Sequence, residues 1–320
     1  MNTTLLSILV PVYNESECLP LLHSKLCEVA ASLPCAVEIV FVNDGSSDDS
    51  LERIKMMRQS DERIVCVDLS RNYGKEIAVS AGIDYISGDA LVIIDADLQH
   101  PPELIPDMLT LIHAGYDDVY ACRSGAKYET WFKRWSSRQY YRLLKALSNI
   151  EIQENAGDFR MFSANAIKAL RQLKESERNM KGLFSYIGFN KIGIPYVQAP
   201  RAAGNTKWSF LKLMNLAVKG WTSFSALPLR IISYTGILIS FSAFVYLIIV
   251  LVKSLIHGDP VKGYPTMMCV ILFLGGLILL ALGIIGEYLG VIYQETKKRP
   301  YYFVKELLTA STDETKKSNI

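Results

Sequence analysis

Residues 90–99 read ALVIIDADLQ, so that five apolar residues stand directly before Asp95, Asp97 and Gln99. The apolar run is short and rich in β-branched residues, which predicts a buried strand. Open α/β sheets bind their ligands at the carboxyl ends of the strands. Because alternate residues of an extended chain share a face, we expect these three oxygen-bearing side chains to converge at that edge. Such a set of ligands suits a hard divalent cation.

Similar apolar runs recur along the chain and alternate with helix-like stretches. The other runs are Leu6–Val10, Val37–Val42 and Ile64–Leu69, and a further strand is predicted near Asp118–Ala121. The helix-like stretches are Cys18–Leu33, Asp48–Gln59, Lys75–Ile86 and Leu104–His113. Alternation of strands and helices at this spacing predicts a mostly parallel, doubly wound α/β sheet.

The composition narrows the class of protein. The chain has 320 residues, is 50% hydrophobic and carries a formal net charge of +2, which gives no case for nucleic-acid binding. Its six cysteines are scattered without a CxxC pair. They resemble small buried apolar side chains in a reducing compartment and not a disulfide framework or a zinc site. The N-terminus shows no secretory signal, so we expect the amino-terminal domain to stay on the side where it is made.

The apolar excess lies after Pro228 and predicts a membrane protein. Ile231–Val252 and Thr266–Ile285 contain no formal charge, and each is long enough to cross a hydrocarbon core of about 30 Å as a helix. Basic residues flank the outer ends of this pair, which by the positive-inside rule places both termini in the cytoplasm. Residues 128–147 interleave aromatic and basic side chains, which is typical of an interfacial helix, although a surface helix with an aromatic core face fits equally well.

The ends of the first two predicted strands carry residues that fit a nucleotide. Tyr13 offers a flat face for a nucleobase, and Glu15 can accept hydrogen bonds from ribose hydroxyls or base nitrogens. After the second strand, Asp44 can accept a hydrogen bond from a base N–H. Each motif also has a simpler explanation, a strand-to-helix turn in the first case and helix capping in the second. Their position at the same predicted sheet edge as Asp95 and Asp97 favours a binding site.

Three basic residues form a further candidate group. Arg123 follows the fifth predicted strand, and Arg201 and Lys207 precede the apolar segments. Their guanidinium and ammonium groups suit phosphate oxygens, and a solvated basic loop is the alternative for the latter two. The sequence contains neither GxGxxG nor GxxxxGK[ST], which argues against a dinucleotide-binding Rossmann site and a P-loop NTPase.

Together these residues resemble the family-2 glycosyltransferases of the GT-A fold, and among them the polyprenyl-phosphate glycosyltransferases. Bacterial bactoprenol (undecaprenyl-phosphate) glucosyltransferases are the most similar group, and dolichol-phosphate mannose synthase is related. The resemblance rests on the two apolar segments and on Val10–Glu15, Asn43–Asp48, Asp95–Glu103, Arg201–Trp208, Gly286–Gly290 and Lys298–Pro300. It implies a Rossmann-like GT-A catalytic domain at 1–207, an interfacial helix at 208–228, a two-helix transmembrane hairpin at 229–293 and a cytoplasmic tail at 294–320.

The resemblance also implies roles for particular residues. The nucleotide sugar would be held by Pro11, Tyr13, Glu15, Val42, Asp44, Asp95 and Ala96. Mg²⁺ or Mn²⁺ would be held by Asp95, Asp97 and Gln99. The catalytic group would comprise Asp97, Asp158, Arg123, Arg201 and Lys207, with Asp158 near the acceptor. Relatives suggest a homotetramer.

The reaction implied is transfer of one sugar to undecaprenyl phosphate at the cytoplasmic leaflet of the bacterial inner membrane, with inversion at the anomeric carbon. The product would serve O-antigen or cell-envelope glycan modification. The resemblance favours UDP-glucose as the donor, while a UDP-aminoarabinose derivative, another UDP-sugar and GDP-mannose stay open. Alternatives of another class are a transporter or flippase subunit and a non-catalytic sugar-nucleotide sensor.

Overall fold

A computed structural model describes residues 3–123, 156–173, 175, 180–196, 235, 238–239, 241–242, 245 and 263–309. The chain divides into two compact units. The first contains Met1–Lys145, Asn149–Lys207 and Arg299–Ile320, and the second contains Ala146–Ser148 and Trp208–Lys298. The catalytic domain predicted at 1–207 therefore shares its compact unit with the end of the chain.

The described residues of the first unit form eight strands and six α-helices. The strands are β1 (Leu5–Val12), β2 (Ala36–Asn43), β3 (Ile64–Leu69), β4 (Ala90–Ile93), β5 (Asp118–Arg123), β6 (Ala156–Ser163), β7 (Lys191–Tyr196) and β8 (Val304–Leu308). The helices are α1 (Leu19–Ser32), α2 (Ser50–Ser60), α3 (Lys75–Tyr85), α4 (Ile105–His113), α5 (Ala164–Gln172) and α6 (Met180–Tyr186). A 3-10 turn at Pro102–Leu104 leads into α4.

All eight strands belong to one sheet in the order β7-β5-β6-β4-β1-β2-β3-β8. Its centre is parallel, because β1 pairs with β2 and β4, and β2 pairs with β3. Strand β6 runs antiparallel between β4 and β5, β8 runs antiparallel to β3, and β7 is parallel to β5. The prediction of a mostly parallel α/β sheet is confirmed.

Every residue of the central strand β1 except Ser7 is apolar, because both faces of the sheet are covered. Leu6 and Ile8 are buried in a core that includes residues of α1 and α4. Leu9 points to the other face and packs on Gly82 of α3, where a Cβ would come within 2.1 Å of the leucine side chain. Packing on both faces fixes the carboxyl ends of β1, β2 and β4 as one rigid edge.

Strand β8 is absent from the sequence-based prediction, which assigned residues 294–320 to a cytoplasmic tail. Instead, the backbone N–H of Ser70 donates to the carbonyl of Phe303 (2.9 Å), and β8 pairs with β3. Lys55 lies 2.6 Å from the Glu306 carboxylate, which ties β8 to α2 as well. The sheet edge next to β3 is thereby closed by residues from the end of the chain.

The second unit contains helix α7 (Tyr264–Thr296). This helix includes the second predicted span, and large apolar side chains such as Ile278 and Leu282 are exposed on it. Counting only the side chains that the structure describes, no helix combines the length and apolar character that crossing a membrane requires. The predicted interfacial helices at 128–147 and 208–228, and nearly all of the first predicted span, lie outside the described residues.

Candidate active site

A cavity of about 340 Å³ opens at the carboxyl edge of the parallel strands. The loops that follow β1, β2, β3 and β4 all contribute to its wall, as the position of the acidic motif predicted. Its lining residues are Pro11, Val12, Tyr13, Glu15, Asp44, Asn72, Gly74, Lys75, Ala78, Asp95, Ala96 and Asp97.

Most residues predicted to bind the nucleotide sugar lie in this cavity. Six of the seven line it, namely Pro11, Tyr13, Glu15, Asp44, Asp95 and Ala96. Tyr13 is 48% exposed, so its ring face is accessible to a planar ligand. Val42 is the exception, because it lies within β2 with none of its surface exposed and is not part of the lining. Its side chain belongs to the sheet core.

Asp44 anchors the loop between β3 and α3. The backbone N–H groups of Tyr73 and Gly74 donate to its two carboxylate oxygens, at 2.7 Å and 2.8 Å. Burial raises the pKa of the Asp44 carboxyl, while these hydrogen bonds and the charge of Arg71 act to lower it. Asp44 thus holds the wall of the cavity as well as facing into it, and both oxygens keep lone pairs for a ligand.

Gly45 makes the close approach of this loop possible. Its φ is +63°, and a Cβ there would lie 2.5 Å from the backbone carbon of Arg71. We expect Gly45→Ala to lower the free energy of unfolding by about 1–3 kcal/mol through backbone strain and steric displacement of the loop. Thermal unfolding of the full chain in detergent measures this effect.

Gly115→Ala is the matched control for this change. Gly115 also has a positive φ, +101°, but a Cβ there meets nothing within 4 Å. The loss of stability in Gly115→Ala therefore comes from backbone strain alone. Equal losses of stability in the two variants would show that contact with Arg71 is not what requires glycine at position 45.

The acidic motif forms a turn, so the prediction of an extended chain at residues 95–99 is wrong. Leu98 has a φ of +58°, in the left-handed region, and the backbone N–H of Gln99 donates to Oδ1 of Asp97 (3.2 Å). Asp95 and Asp97 still line the cavity together, whereas Gln99 is not part of its lining. The turn thus places Asp95 and Asp97 at one cavity, and the assignment of Gln99 as a third ligand stays a prediction.

The donor set fits a hard divalent cation such as Mg²⁺ or Mn²⁺. Asp95 and Asp97 supply carboxylate oxygens, and in the described part of the chain no third His, Cys, Asp or Glu joins them within coordination distance. Mg²⁺ sites beside phosphate substrates commonly use one or two carboxylates and fill the remaining positions with water and phosphate oxygens. Two carboxylates facing an open cavity meet that description.

Lys75, at the start of α3, was not predicted as a site residue. Its ammonium lies 2.6 Å from Oδ1 of Asp95 and 2.6 Å from Oδ2 of Asp158. Burial acts to lower the pKa of Lys75, but the two carboxylates outweigh it and raise that pKa above its ordinary value. Two oxygens hydrogen-bonded to one ammonium are close neighbours, so without it the carboxylates would repel each other by about 3–4 kcal/mol at an effective dielectric of about 20, and by less where water screens them.

The pairing of β6 with β4 explains how Asp158 reaches the site. Ile93 pairs with Arg160 in the antiparallel register. Asp158 precedes Arg160 by two residues and Asp95 follows Ile93 by two, so the register sets the two carboxylates side by side. Arg160 instead points into the core, where it pairs with Asp118 at 3.0 Å.

Apart from Val12 in β1, the lining residues that the sequence interpretation missed come from the loop after β3 and the start of α3. Asn72, Gly74 and Lys75 line the cavity, together with Ala78 in the first turn of α3. The sequence does show this loop, because the polar residues 70–75, SRNYGK, come directly after the third predicted strand. The rule that ligands gather at carboxyl strand ends applies to that strand as well as to its neighbours.

The side chains of the three predicted basic residues lie outside the described part of the chain. Arg123 is the last residue of β5, and its side chain is not among those that the structure describes. Arg201 and Lys207 lie outside the described residues. Their assignment to phosphate binding stays a prediction.

The prediction of buried apolar thiols holds for Cys18 and Cys66, whereas Cys27, Cys35 and Cys122 are half-buried, and Cys27 also has polar neighbours. Cys27 lies 3.4 Å from His23 Nε2 and 3.6 Å from a carboxylate oxygen of Asp61. These three form the one cluster of three potential metal ligands among the described residues. The guanidinium of Arg63 already pairs with Asp61 at 2.8 Å, so a resident cationic side chain balances the charge there.

Comparison with known proteins identifies the family. Residues 7–171 match the family Glycosyl transferase family 2, and residues 227–292 match the GtrB C-terminal hairpin. The chain belongs to glycosyltransferase family 2. Membership of this family makes it a glycosyltransferase, which goes against the transporter and sensor alternatives.

Relatives within glycosyltransferase family 2 match over nearly the whole chain. An uncharacterised glycosyltransferase of Synechocystis sp. is 45% identical over 302 residues, covering 94% of this chain and 95% of the relative. A prophage bactoprenol glucosyl transferase homologue of Escherichia coli K12 is 41% identical over 302 residues, covering 94% and 99%. The bactoprenol glucosyl transferase of Shigella phage SfII is 41% identical over 301 residues, covering 94% and 97%.

Proposed function

We propose that this glycosyltransferase moves a single sugar, glucose from UDP-glucose, to undecaprenyl phosphate and leaves a lipid-phosphate-linked sugar. The observation that carries the proposal is 41% identity, over 94% of this chain, to proteins named bactoprenol glucosyl transferase. A UDP-aminoarabinose derivative and GDP-mannose are the alternative donors. The product is of the kind used to modify O-antigen or another cell-envelope glycan.

The cavity at the carboxyl strand edge supports binding of a nucleotide sugar. The exposed ring of Tyr13 suits a base, and Glu15 and Asp44 offer acceptors for base N–H and ribose hydroxyl groups. Asp95 and Asp97 would hold Mg²⁺ or Mn²⁺, which when bound neutralises negative charge on the diphosphate as a Lewis acid. Gln99 keeps only a supporting place in this proposal, because its side chain is not in the lining.

The acceptor chemistry fits a site without an evident strong base. A phosphate monoester has a second pKa of about 6, so it is largely a dianion at neutral pH and already a nucleophile. The main barrier is the approach of two anions, which at about 4 Å costs about 4 kcal/mol per pair of unit charges in a dielectric near 20. We assign Arg123, Arg201 and Lys207 to offset that repulsion, and Asp158 to the acceptor side of the cavity. Attack opposite the diphosphate would invert the anomeric carbon.

The lipid acceptor gives the C-terminal part of the chain a role. We propose that residues 231–252 and 266–286 form two membrane spans, with the catalytic domain and both termini in the cytoplasm. The match of residues 227–292 to the GtrB C-terminal hairpin and their apolar sequence support this arrangement. We further propose that residues 128–147 and 208–228 form interfacial helices and that the protein assembles as a tetramer.

Product analysis tests the function directly. Purified full-length protein in detergent receives undecaprenyl phosphate, Mn²⁺ and an equimolar mixture of UDP-glucose, UDP-N-acetylglucosamine and GDP-mannose. We expect mass spectrometry to find one new lipid, heavier than the acceptor by a single hexose, whose formation requires UDP-glucose. A hexose that comes only from GDP-mannose would overturn the donor assignment, and an unmodified lipid with every donor would overturn the function.

A further inference from the structure

We propose that Lys75 is a positioning residue that holds the carboxylates of Asp95 and Asp158 in place and competes with a divalent cation for Asp95. This inference rests on the proposed function, because it takes Asp95 as a metal ligand and Asp158 as the carboxylate on the acceptor side. The role assigned to the Lys75 ammonium is to hold both carboxylates of that site.

The contacts of Lys75 join two segments that are remote in sequence. One ammonium lies 2.6 Å from an oxygen of Asp95, after β4, and 2.6 Å from an oxygen of Asp158, in β6. Both distances are those of short charge-assisted hydrogen bonds. Because a Lys ammonium has three donors, it can serve both carboxylates at once. The position of each carboxylate therefore depends on the other through Lys75.

The residue directly before Lys75 is held by a third acidic residue. Asp44 accepts a hydrogen bond from the N–H of Gly74, the residue directly before Lys75. Gly74 has a φ of +97° and caps α3, since the N–H groups of Ile77 and Ala78 donate to its carbonyl. Lys75 thus starts a helix whose first turn is fixed to the proposed nucleotide site. Its ammonium is placed by the same loop that lines the cavity.

The charge of the cavity makes Lys75 a competitor for a metal ion. Its lining contains four carboxylates, those of Glu15, Asp44, Asp95 and Asp97, and among the described lining residues Lys75 is the only cation. A divalent cation bound by Asp95 must share that carboxylate with the ammonium or displace it. Removing the ammonium should therefore strengthen metal binding. It should also weaken turnover, because Asp158 loses its hydrogen bond from the Lys75 ammonium.

These two opposed effects separate a positioning role from a merely structural one. The experiment uses the full chain in detergent, with Lys75→Met as the neutral variant and Lys75→Arg as the charge-conserving one. Lys168→Met is the matched control, because Lys168 is an exposed lysine on α5 away from the cavity lining. Mn²⁺ affinity is measured without nucleotide, from the electron paramagnetic resonance signal of free Mn²⁺. Steady-state transfer and thermal unfolding are measured in parallel.

For Lys75→Met we expect Mn²⁺ to bind about tenfold more tightly, as the loss of one nearby positive charge implies. We expect kcat to fall about a hundredfold, with the donor KM within about threefold of the parent. The unfolding temperature should fall, because the two carboxylates are left to repel each other. Lys75→Arg should keep the parent's Mn²⁺ affinity. Its kcat should be at least about tenfold higher than that of Lys75→Met. Lys168→Met should match the parent throughout.

Asp158→Asn gives an independent arm that does not require Lys75→Met to fold. With Asp158 neutral, the ammonium stays on Asp95, and we expect Mn²⁺ to bind more weakly. Unchanged or weaker Mn²⁺ binding in folded Lys75→Met overturns the proposal, as does tightening of the same size in Lys168→Met. A parent enzyme that makes no lipid-linked sugar refutes the proposed function, while the Mn²⁺ titrations still decide the competition for Asp95.

Discussion

Asp97→Ala is expected to lower the rate of sugar transfer by about a thousandfold or more while the protein still folds. The carboxylate of Asp97 faces the cavity beside Asp95 and is one of the two proposed metal ligands. Loss of an electrostatic group that stabilises charge in the transition state commonly costs about two to three orders of magnitude in rate. Here the change also removes half of the proposed protein ligand set. Transfer from labelled UDP-glucose to undecaprenyl phosphate at saturating Mn²⁺ measures the loss.

Asp107→Ala is the control for this prediction. Asp107 is an exposed carboxylate in the first turn of α4 and does not line the cavity. It should transfer at the parent's rate. The Asp97 variant loses the hydrogen bond from the Gln99 N–H, which is worth about 1 kcal/mol, so its unfolding temperature should drop by only a few degrees. Parental activity of Asp97→Ala with Mn²⁺ present would refute the assignment of Asp97 to the metal.

The buried pair of Arg160 and Asp118 carries the second large effect, on stability. Both side chains are almost fully buried, at 2% and 0% exposure, and their charged atoms lie 3.0 Å apart. Asp118→Ala leaves the guanidinium in the core without its counter-ion. Breaking a buried pair in this way typically costs about 3–5 kcal/mol. We expect a large drop in the thermal unfolding temperature of the full chain.

A double variant tests whether the unpaired charge is the cause. Arg160 lies over the rings of Tyr120 and Phe184, each with its guanidinium carbon 5.2 Å from the ring centroid, so an apolar side chain can occupy this space. Asp118→Ala combined with Arg160→Met should recover a substantial part of the lost stability, because no charge is left behind. A double variant that unfolds as early as Asp118→Ala would attribute the loss to packing at position 118 instead.

The central strands were predictable because their signal is local. Strands β1 to β4 are short runs of apolar residues, and the predicted runs agree with the observed bounds within two residues. Burial on both faces of the sheet keeps polar residues in these strands few, so the apolar runs stand out in the sequence. The acidic residues after β4 could be located in the same way, because the end of a buried strand is itself visible in the sequence.

The pairing of Lys75 with Asp158 could not be read from the sequence. The two residues lie 83 positions apart and meet because β6 pairs with β4 in one particular register. That register is a property of the folded sheet. The turn at Leu98 was equally hidden, because leucine rarely adopts a positive φ and nothing in the DADLQ letters marks it.

Strand β8 was missed for a different reason. It is five residues long, with Lys305 and Glu306 at its centre, and it lies at the sheet edge. Short, charged strands are typical of protected sheet edges, where few side chains need to be apolar. A pattern search for buried strands passes over such a segment.

The order of synthesis gives β8 a consequence for assembly in the cell. Residues 227–292, which match the GtrB C-terminal hairpin, are translated before Val304–Leu308. The ribosome therefore delivers the last strand only after that segment has emerged, and until then β3 presents unpaired backbone groups. A chain truncated before residue 304 would keep this edge open for association with another polypeptide, so we expect such truncations to aggregate.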